Sequence, residues 1–488
     1  MLDGREVLTG TAVAVGDRPP HGAGRPPRPT PAQRRASGKA LRATAPLDAL
    51  AGSPRDTRTR DPLTLLEEQA AGRVPELVPI RWGRMLASPF AYYRGAARVM
   101  AADQAGASRS GLTVQVCGDA HAANFGLFGS PERRLLFDTN DFDETLPGPF
   151  EHDVRRLVAS LELAARENGL PRRQRRAVTV AAGARYRTAM AEFAGQRDIE
   201  VWYASLDADA LQRDIVPMLG SGGRKRLTRA LVKARTRDSL QAFGKLTEVA
   251  DGRLRIRAEP PLLVPLRDLV PGAEGPDPAG AFHGLIRQYR NSLQVDRRTL
   301  LERYAFVDMA RKVVGVGSVG TRCWVVLLVG RDDDDPLLLQ VKEAGPSVHA
   351  EFVGPGRYTH QGQRVVAGQR LMQQASDVFL GWERTAGVDG VERDFYVRQL
   401  RDWKGSVELG DLRPEGLELY GAVCAWCLAR AHARTGDRIA IAGYLGSSPA
   451  FEHALAEYAE ACADVTEGDH RQLAEAAAAG RVPVQRGV

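Results

Sequence analysis

Lysine is scarce in this chain. Its 488 residues include sixty arginines but only seven lysines: Lys39, Lys225, Lys233, Lys245, Lys312, Lys342 and Lys404. A sequence that so prefers arginine marks each lysine it keeps, Lys342 above all. Cysteine is scarce too. Cys117, Cys323, Cys424, Cys427 and Cys462 are too few and too scattered for a disulfide framework, and they fit a reducing compartment. No run of 18 or more apolar residues occurs, which excludes a membrane-spanning helix. The N-terminus lacks the charged-then-apolar order of a secretory signal, so a cytoplasmic location is expected.

What is present in quantity is core material. With 43% hydrophobic and 26% charged residues, the chain is neither a small disulfide scaffold nor wholly disordered. Its length suits two to three domains. The net charge of +7 is misleading as a sign of nucleic-acid binding. Residues 1–60 hold eleven basic and five acidic residues, and the remainder balances at 56 against 55. The excess belongs to a tail, so nucleic acid is not an expected partner.

Residues 1–60, rich in Pro, Arg, Gly and Ala, read as a disordered basic leader. Residues 61–304 read as a helical lobe interrupted by strand-like runs at Leu112–Val116 and Leu135–Phe137, with a Pro/Gly-dense linker at 257–280. The texture changes near 305. Val313–Val314, Cys323–Val329 and Leu337–Val341 are apolar, β-branched runs separated by glycines or by Asp332–Asp335, which predicts a small antiparallel sheet over 305–410. A helix at 361–376 and a strand at Phe395–Leu400 follow. Residues 411–488 are Ala-rich and helical, so the fold class is α+β.

Two constellations carry chemistry. The first is Cys117-Gly118-Asp119-Ala120-His121-Ala122-Ala123-Asn124, followed by Asp141-Phe142-Asp143-Glu144 and then by Asp153 in a helical pattern. An Asp with an Asn five residues on, then a second Asp after a strand, is what phosphoryl transfer requires. One carboxylate accepts the hydroxyl proton, while the amide and the second carboxylate hold Mg²⁺ against phosphates. Asp119 is the candidate catalytic residue, and Asn124 and Asp141 are the metal ligands, with Asp143 as the second carboxylate candidate and Asp138 the third. His121 and Asp153 are read as support for the loop. The second constellation is Gly315-Val316-Gly317-Ser318-Val319-Gly320 between strands. That setting argues against a dinucleotide fold and suits a flap over nucleotide phosphates formed by Gly315, Gly317 and Gly320. Lys342, in the next strand but one, is placed to pair with those phosphates. Cys424-Ala425-Trp426-Cys427 lies within a helical pattern and reads as buried helix cysteines.

These stretches resemble the catalytic core of aminoglycoside- and choline-type phosphotransferases of the protein-kinase-like superfamily. There a Gly-Asp-x-His-x-x-Asn loop precedes an Asp-Phe/Trp-x-Asp metal motif, then Gly-x-Pro and an Asp opening a helix. The resemblance implies ATP and Mg²⁺ as cofactors, a two-lobe fold, and a Phe395–Leu400 strand, with Gln399 and Leu400 at the cofactor, that runs into a hinge whose backbone reads the adenine. It also implies circular permutation, because the glycine loop and the lysine follow the catalytic Asp instead of preceding it. One departure stands out: between Phe352 and Leu380 there is no glutamate to pair with Lys342. Over about residues 60–485 the chain also resembles the bacterial family known as domain of unknown function 2252. The stretches that carry this are Ser88–Gly95, Cys117–Asn124, Asn140–Pro149, Arg398–Leu400 and Lys404–Ser406.

The expected function is an ATP- and Mg²⁺-dependent phosphotransferase acting on an unidentified hydroxyl acceptor, a small molecule. A metal-dependent hydrolase using the same acids with His121 or His152 is a second reading. A nucleotide-binding pseudoenzyme that acts as a regulatory module is a third. Nucleotidyl transfer is a variant of the first.

Overall fold

The computed structural model describes residues 29–215, 220–236, 239–269, 286, 288–387, 389–400 and 403–488. Its centre is the helix Phe150–Glu167, buried from Phe150 to Ala165 without a break. Helices Arg172–Ala194, Pro414–Thr435 and Ala450–Ala478 surround it. On it, Asp153 and Arg156 are committed to hydrogen-bond partners at the site described below. No described helix is long and apolar enough to cross a membrane.

Four short strands lie between the first helices and this body: β1 (Thr113–Val116), β2 (Phe125–Gly129), β3 (Leu135–Thr139) and β4 (Leu146–Pro149). β1 pairs with β4 and β2 with β3, all antiparallel. A hairpin of β5 (Thr247–Ala250) and β6 (Arg253–Ile256) comes next. The remaining long strands are β7 (Leu263–Pro265), β8 (Ala305–Lys312), β9 (Cys323–Val329), β10 (Pro336–Glu343), β11 (Gly381–Ala386) and β12 (Glu392–Gln399). They form one antiparallel sheet in the order β11-β12-β10-β9-β8-β7. β13 (Gly405–Ser406) returns to pair with β2. β9 is apolar at every position because both of its faces are covered. Helix Gln361–Met372 packs on β11 and β12 and reaches the Pro414–Thr435 helix, so it joins the sheet to the helical body.

Three expected boundaries move. The leader does not extend to residue 60. Pro31–Ala40 is a helix opened by a reciprocal cap, in which Thr30 accepts from the Gln33 N–H and Gln33 accepts from the Thr30 N–H. It packs on helix Arg438–Leu445, with Arg34 donating twice to Asp437 and Arg42 donating to the Gly443 and Tyr444 carbonyls. Ala45, Leu47 and Leu50 are buried beyond it. The contact is made by small residues and arginines, so it leaves no apolar period in the sequence. Residues 1–28 of the expected leader lie outside the described residues. The sheet segment begins before 305: Ala242, Ile256 and Leu263 share a cluster with Ala310, Val325 and Leu327. β7 was hidden by its proline, which an edge strand tolerates. At the other end, β13 already belongs with β2, ahead of the expected break at 411. The strand expected at Val313–Val314 lies just upstream, as β8.

An added Cβ at Gly38 would lie 1.9 Å from the Ala440 carbonyl oxygen. Gly38→Ala is therefore expected to pry the first helix from its neighbour and cost about 1–3 kcal/mol in urea unfolding. An unchanged midpoint would show that the contact does not contribute.

Candidate active site

β1 ends in a turn at Gly118, whose φ of +83° and 2.3 Å Cβ clearance to the Glu144 carbonyl oxygen admit only glycine. The turn is held from below. Asp153 accepts the Cys117 N–H at 2.6 Å and the Gly118 N–H at 2.9 Å. His432 Nε2 stands 3.2 Å from the same carboxylate, and its Nδ1 meets the Tyr186 hydroxyl at 2.8 Å. His349 Nε2 lies 2.6 Å from the Gly118 carbonyl oxygen. Asp153 thus positions the loop and lines neither of the two cavities described below.

The loop fixes two side chains. Asn124 donates its amide N–H to the Asp119 carbonyl at 2.7 Å, which leaves its Oδ1 as a hard acceptor. Asp119 accepts at Oδ1 from Arg156 Nε at 2.8 Å and Nη2 at 2.7 Å. Arg156 is itself buried over the Tyr93 ring. Burial raises the Asp119 carboxyl above its ordinary range, and Arg156 offsets this only in part. His121 Nε2 is 3.8 Å from Asp119 Oδ2. Burial, with Arg156 and Arg94 nearby, holds that imidazole well below its usual value, so it is neutral.

The acids after β3 separate into distinct roles. Asp138 is not at the site: it is buried against Arg430 at 2.6 Å and caps the Gln374 N–H. Asp143 is occupied at both oxygens, by Lys342 Nζ at 2.5 Å and the Tyr396 hydroxyl at 2.6 Å. Asp143, expected as the second carboxylate candidate for the metal, is here the counter-ion of Lys342. Sheet register builds this pair, since Lys342 on β10 lies directly opposite Tyr396 on β12. It also accounts for the glutamate missing between Phe352 and Leu380, because the lysine's partner comes from the loop after β3. Although burial opposes it, Lys342 lowers the Asp143 carboxyl below its ordinary range, and the two carboxylates raise Lys342. Asp141 moves the other way. Burial and the neighbouring Asp143 charge push it up, against Lys342 and Arg398.

A cleft of about 840 Å³ opens between the sheet and these loops. Asn124, Asp141, Gly315, Lys342, Gln399 and Leu400 all line it. A second cavity of about 440 Å³ holds Asp119, His121, Asp143 and Gly317, and shares Asn124, Asp141 and Gly315 with the first. The structure therefore gathers residues more than 200 positions apart in sequence. Gly320 is the exception among the glycines: it borders neither cavity and turns at φ +88° beside Arg73. The loop is anchored, with Arg84 donating to the Gly315 carbonyl, Arg73 to that of Val319, and the Val74 N–H to that of Gly320. Residues 401–402, into which the expected hinge runs, lie outside the described residues. The Gln399 N–H is given to Asp377 and the Leu400 N–H to the Leu338 carbonyl, so neither amide is left to read a base. His152 lies behind the site against His349 and borders neither cavity.

Several residues escaped the sequence. Arg156 stands three positions after Asp153 on one helix, a spacing that puts both side chains under the same loop. Tyr396 had no signal before its strand register was known. Lys245, Lys312 and Lys404 line the larger cleft; the rarity of lysine pointed to them as much as to Lys342. Glu144 lines the second cavity, and burial pushes its carboxyl up to about 7. Its folded-state pKa exceeds the usual 4.5, so its neutral form contributes stability that is lost as pH rises through about 7. Glu144→Gln should flatten the fall in stability between pH 4.5 and 7. Parallel slopes for both proteins in urea titrations over that range would contradict this.

Cys424 and Cys427 are buried one helical turn apart, and none of the five cysteines is in a disulfide. Among the described residues no cluster of three or more His, Cys, Asp or Glu side chains is arranged to hold a metal ion. A Mg²⁺ ion held partly by phosphates needs only one or two protein oxygens. Asn124 and Asp141 line both cavities and offer hard oxygens, and Asp141 sits in surroundings that favour an added cation, so this donor set fits. A family model described as "Uncharacterized protein conserved in bacteria (DUF2252)" matches residues 73–476. No curated protein and no solved structure matches the chain.

Proposed function

The chain belongs to the bacterial family DUF2252, and from that premise we propose that its cleft is the site of an ATP- and Mg²⁺-dependent phosphotransferase acting on a hydroxyl acceptor. We read its architecture as a protein-kinase-like two-lobe fold in circularly permuted order. The observation that carries the proposal is the convergence on one cleft of Asn124, Asp141, Lys342 and the glycine loop. The loop and lysine follow Asp119 by about 200 residues in sequence, as a permuted order requires.

Each residue then has a task. Arg156 binds Oδ1 of Asp119, which lines the smaller cavity and there orients an acceptor hydroxyl and takes its proton. Asp143 and Tyr396 hold Lys342 in place to meet phosphate oxygens. Asn124 and Asp141 would hold Mg²⁺, which when bound supplies neutralisation of the phosphate charge.

The test is to incubate the whole chain and Mg²⁺ with ATP labelled at the γ- or the α-phosphate, with a mixture of polyols as acceptors. Transfer of γ-label is expected. Movement of α-label alone would make the enzyme a nucleotidyl transferase. ATP binding without transfer of either label would leave a regulatory module, and absence of both would turn attention to metal-dependent hydrolysis.

A further inference from the structure

Four of the seven lysines, Lys245, Lys312, Lys342 and Lys404, line the larger cleft, whose lining is roughly one residue in eighteen of the chain. They come from separate elements: helix Ser239–Leu246, the end of β8, β10, and the approach to β13. No single basic run in the sequence brought them together. Lys39, Lys225 and Lys233 are exposed on helices elsewhere. Arg84, Arg94 and Arg398 add three guanidinium groups to the cleft, against the carboxylates of Asp141 and Asp377. The cleft is therefore strongly cationic well beyond Lys342. A lysine ammonium is a compact, rotatable point charge that suits phosphates presenting no fixed plane, whereas arginine suits fixed bidentate partners. A chain that uses arginine almost everywhere else has placed lysine here.

A second observation concerns the base. Among the described residues, the Gln399 and Leu400 N–H groups at the end of β12 are spent on Asp377 and on the Leu338 carbonyl. Among the described residues the lining contains one aromatic side chain, Phe128, which is too little for a stacked strand of nucleic acid. Positive charge without base recognition fits a ligand that is phosphate along its length.

We infer that the phosphoryl donor site takes linear inorganic polyphosphate, with the terminal phosphates at Asn124, Asp141 and Lys342 and the following ones along Lys245, Lys312 and Lys404. This rests on the phosphotransfer reading for the reaction itself. In that step the acceptor oxygen bonds to the terminal phosphorus as the bridging P–O bond breaks. The hydroxyl proton passes to Asp119, and the chain leaves one phosphate shorter with the bond's electron pair.

The test is calorimetric titration of the full chain, with Mg²⁺ and at fixed ionic strength, using pyrophosphate, tripolyphosphate, a medium-chain polyphosphate and ATP. Affinity should rise from tripolyphosphate to the medium chain, and the medium chain should bind at least about tenfold more tightly than ATP. The variant Lys245→Gln/Lys312→Gln/Lys404→Gln should lose that gain. The variant Lys39→Gln/Lys225→Gln/Lys233→Gln, with the same change in charge on the surface, should keep it. If the cleft variant does not fold, Lys245→Gln and Lys404→Gln singly should each lose part of the gain. No gain beyond tripolyphosphate, equal losses in both triple variants, or tighter binding of a single-stranded oligonucleotide would overturn the assignment. Transfer from ATP without polyphosphate binding would overturn it and leave the phosphotransferase standing. Lysine-dependent polyphosphate binding without transfer from any donor would support the site and remove the phosphotransferase.

Discussion

Asp141→Asn is expected to lower Mg²⁺-dependent transfer of the γ-phosphate by ~100–1000-fold while making the protein more stable. The two effects share one cause. Asp141 is a buried carboxylate beside a second one, Asp143, whose own charge is already matched by Lys342. Burial and that neighbour raise its pKa, so its ionised form is a strain on the fold and an attraction for a cation. Removing the charge relieves the strain and discards the ligand, a trade seen where function demands an unfavourable residue. The pH dependence follows. A carboxyl raised on folding contributes stability at low pH and loses that contribution as pH rises through its folded value. The variant's advantage in melting temperature should therefore appear at neutral pH and vanish below the ordinary carboxylate range. A variant less stable than the parent at neutral pH would contradict the assignment.

Lys342→Met should act in the opposite direction on stability. It leaves Asp143 and Asp141 together in a buried site with their cation gone, and breaking a buried pair from one side costs about 3–5 kcal/mol. Lys342→Met/Asp143→Asn should recover much of that loss, because the orphaned charge goes too, but it should not recover transfer. Urea unfolding of the two single variants and the double variant measures the coupling. Additive losses would show that the contact between Lys342 and Asp143 contributes nothing.

How much of this was legible in the sequence depends on the kind of signal. The loop from Cys117 to Asn124 and the acids after it were legible because their chemistry is local: an Asp, an Asn five residues on, and a carboxylate after a strand. Asp153 could be placed beneath the loop on the same basis. The partner of Lys342 was not legible, since Asp143 reaches it only through the register of β10 on β12 and the loop after β3. The spent amides at Gln399 and Leu400 were hidden for the same reason: hydrogen bonds to Asp377 and Leu338 are decided by tertiary pairing. The first helix was masked by composition, because arginines and a glycine make its contacts and no apolar period marks them. The lysines were legible in part. Their rarity drew attention to Lys342, and only the fold brought Lys245, Lys312 and Lys404 into the same cleft.

The most direct measurement is calorimetric titration of ATP into the whole protein, with and without Mg²⁺, on the parent and on Asp141→Asn. Mg²⁺-dependent binding that the substitution weakens by at least about tenfold is the predicted result. Binding indifferent to Mg²⁺ or to Asp141, or no binding under any condition, would contradict the account.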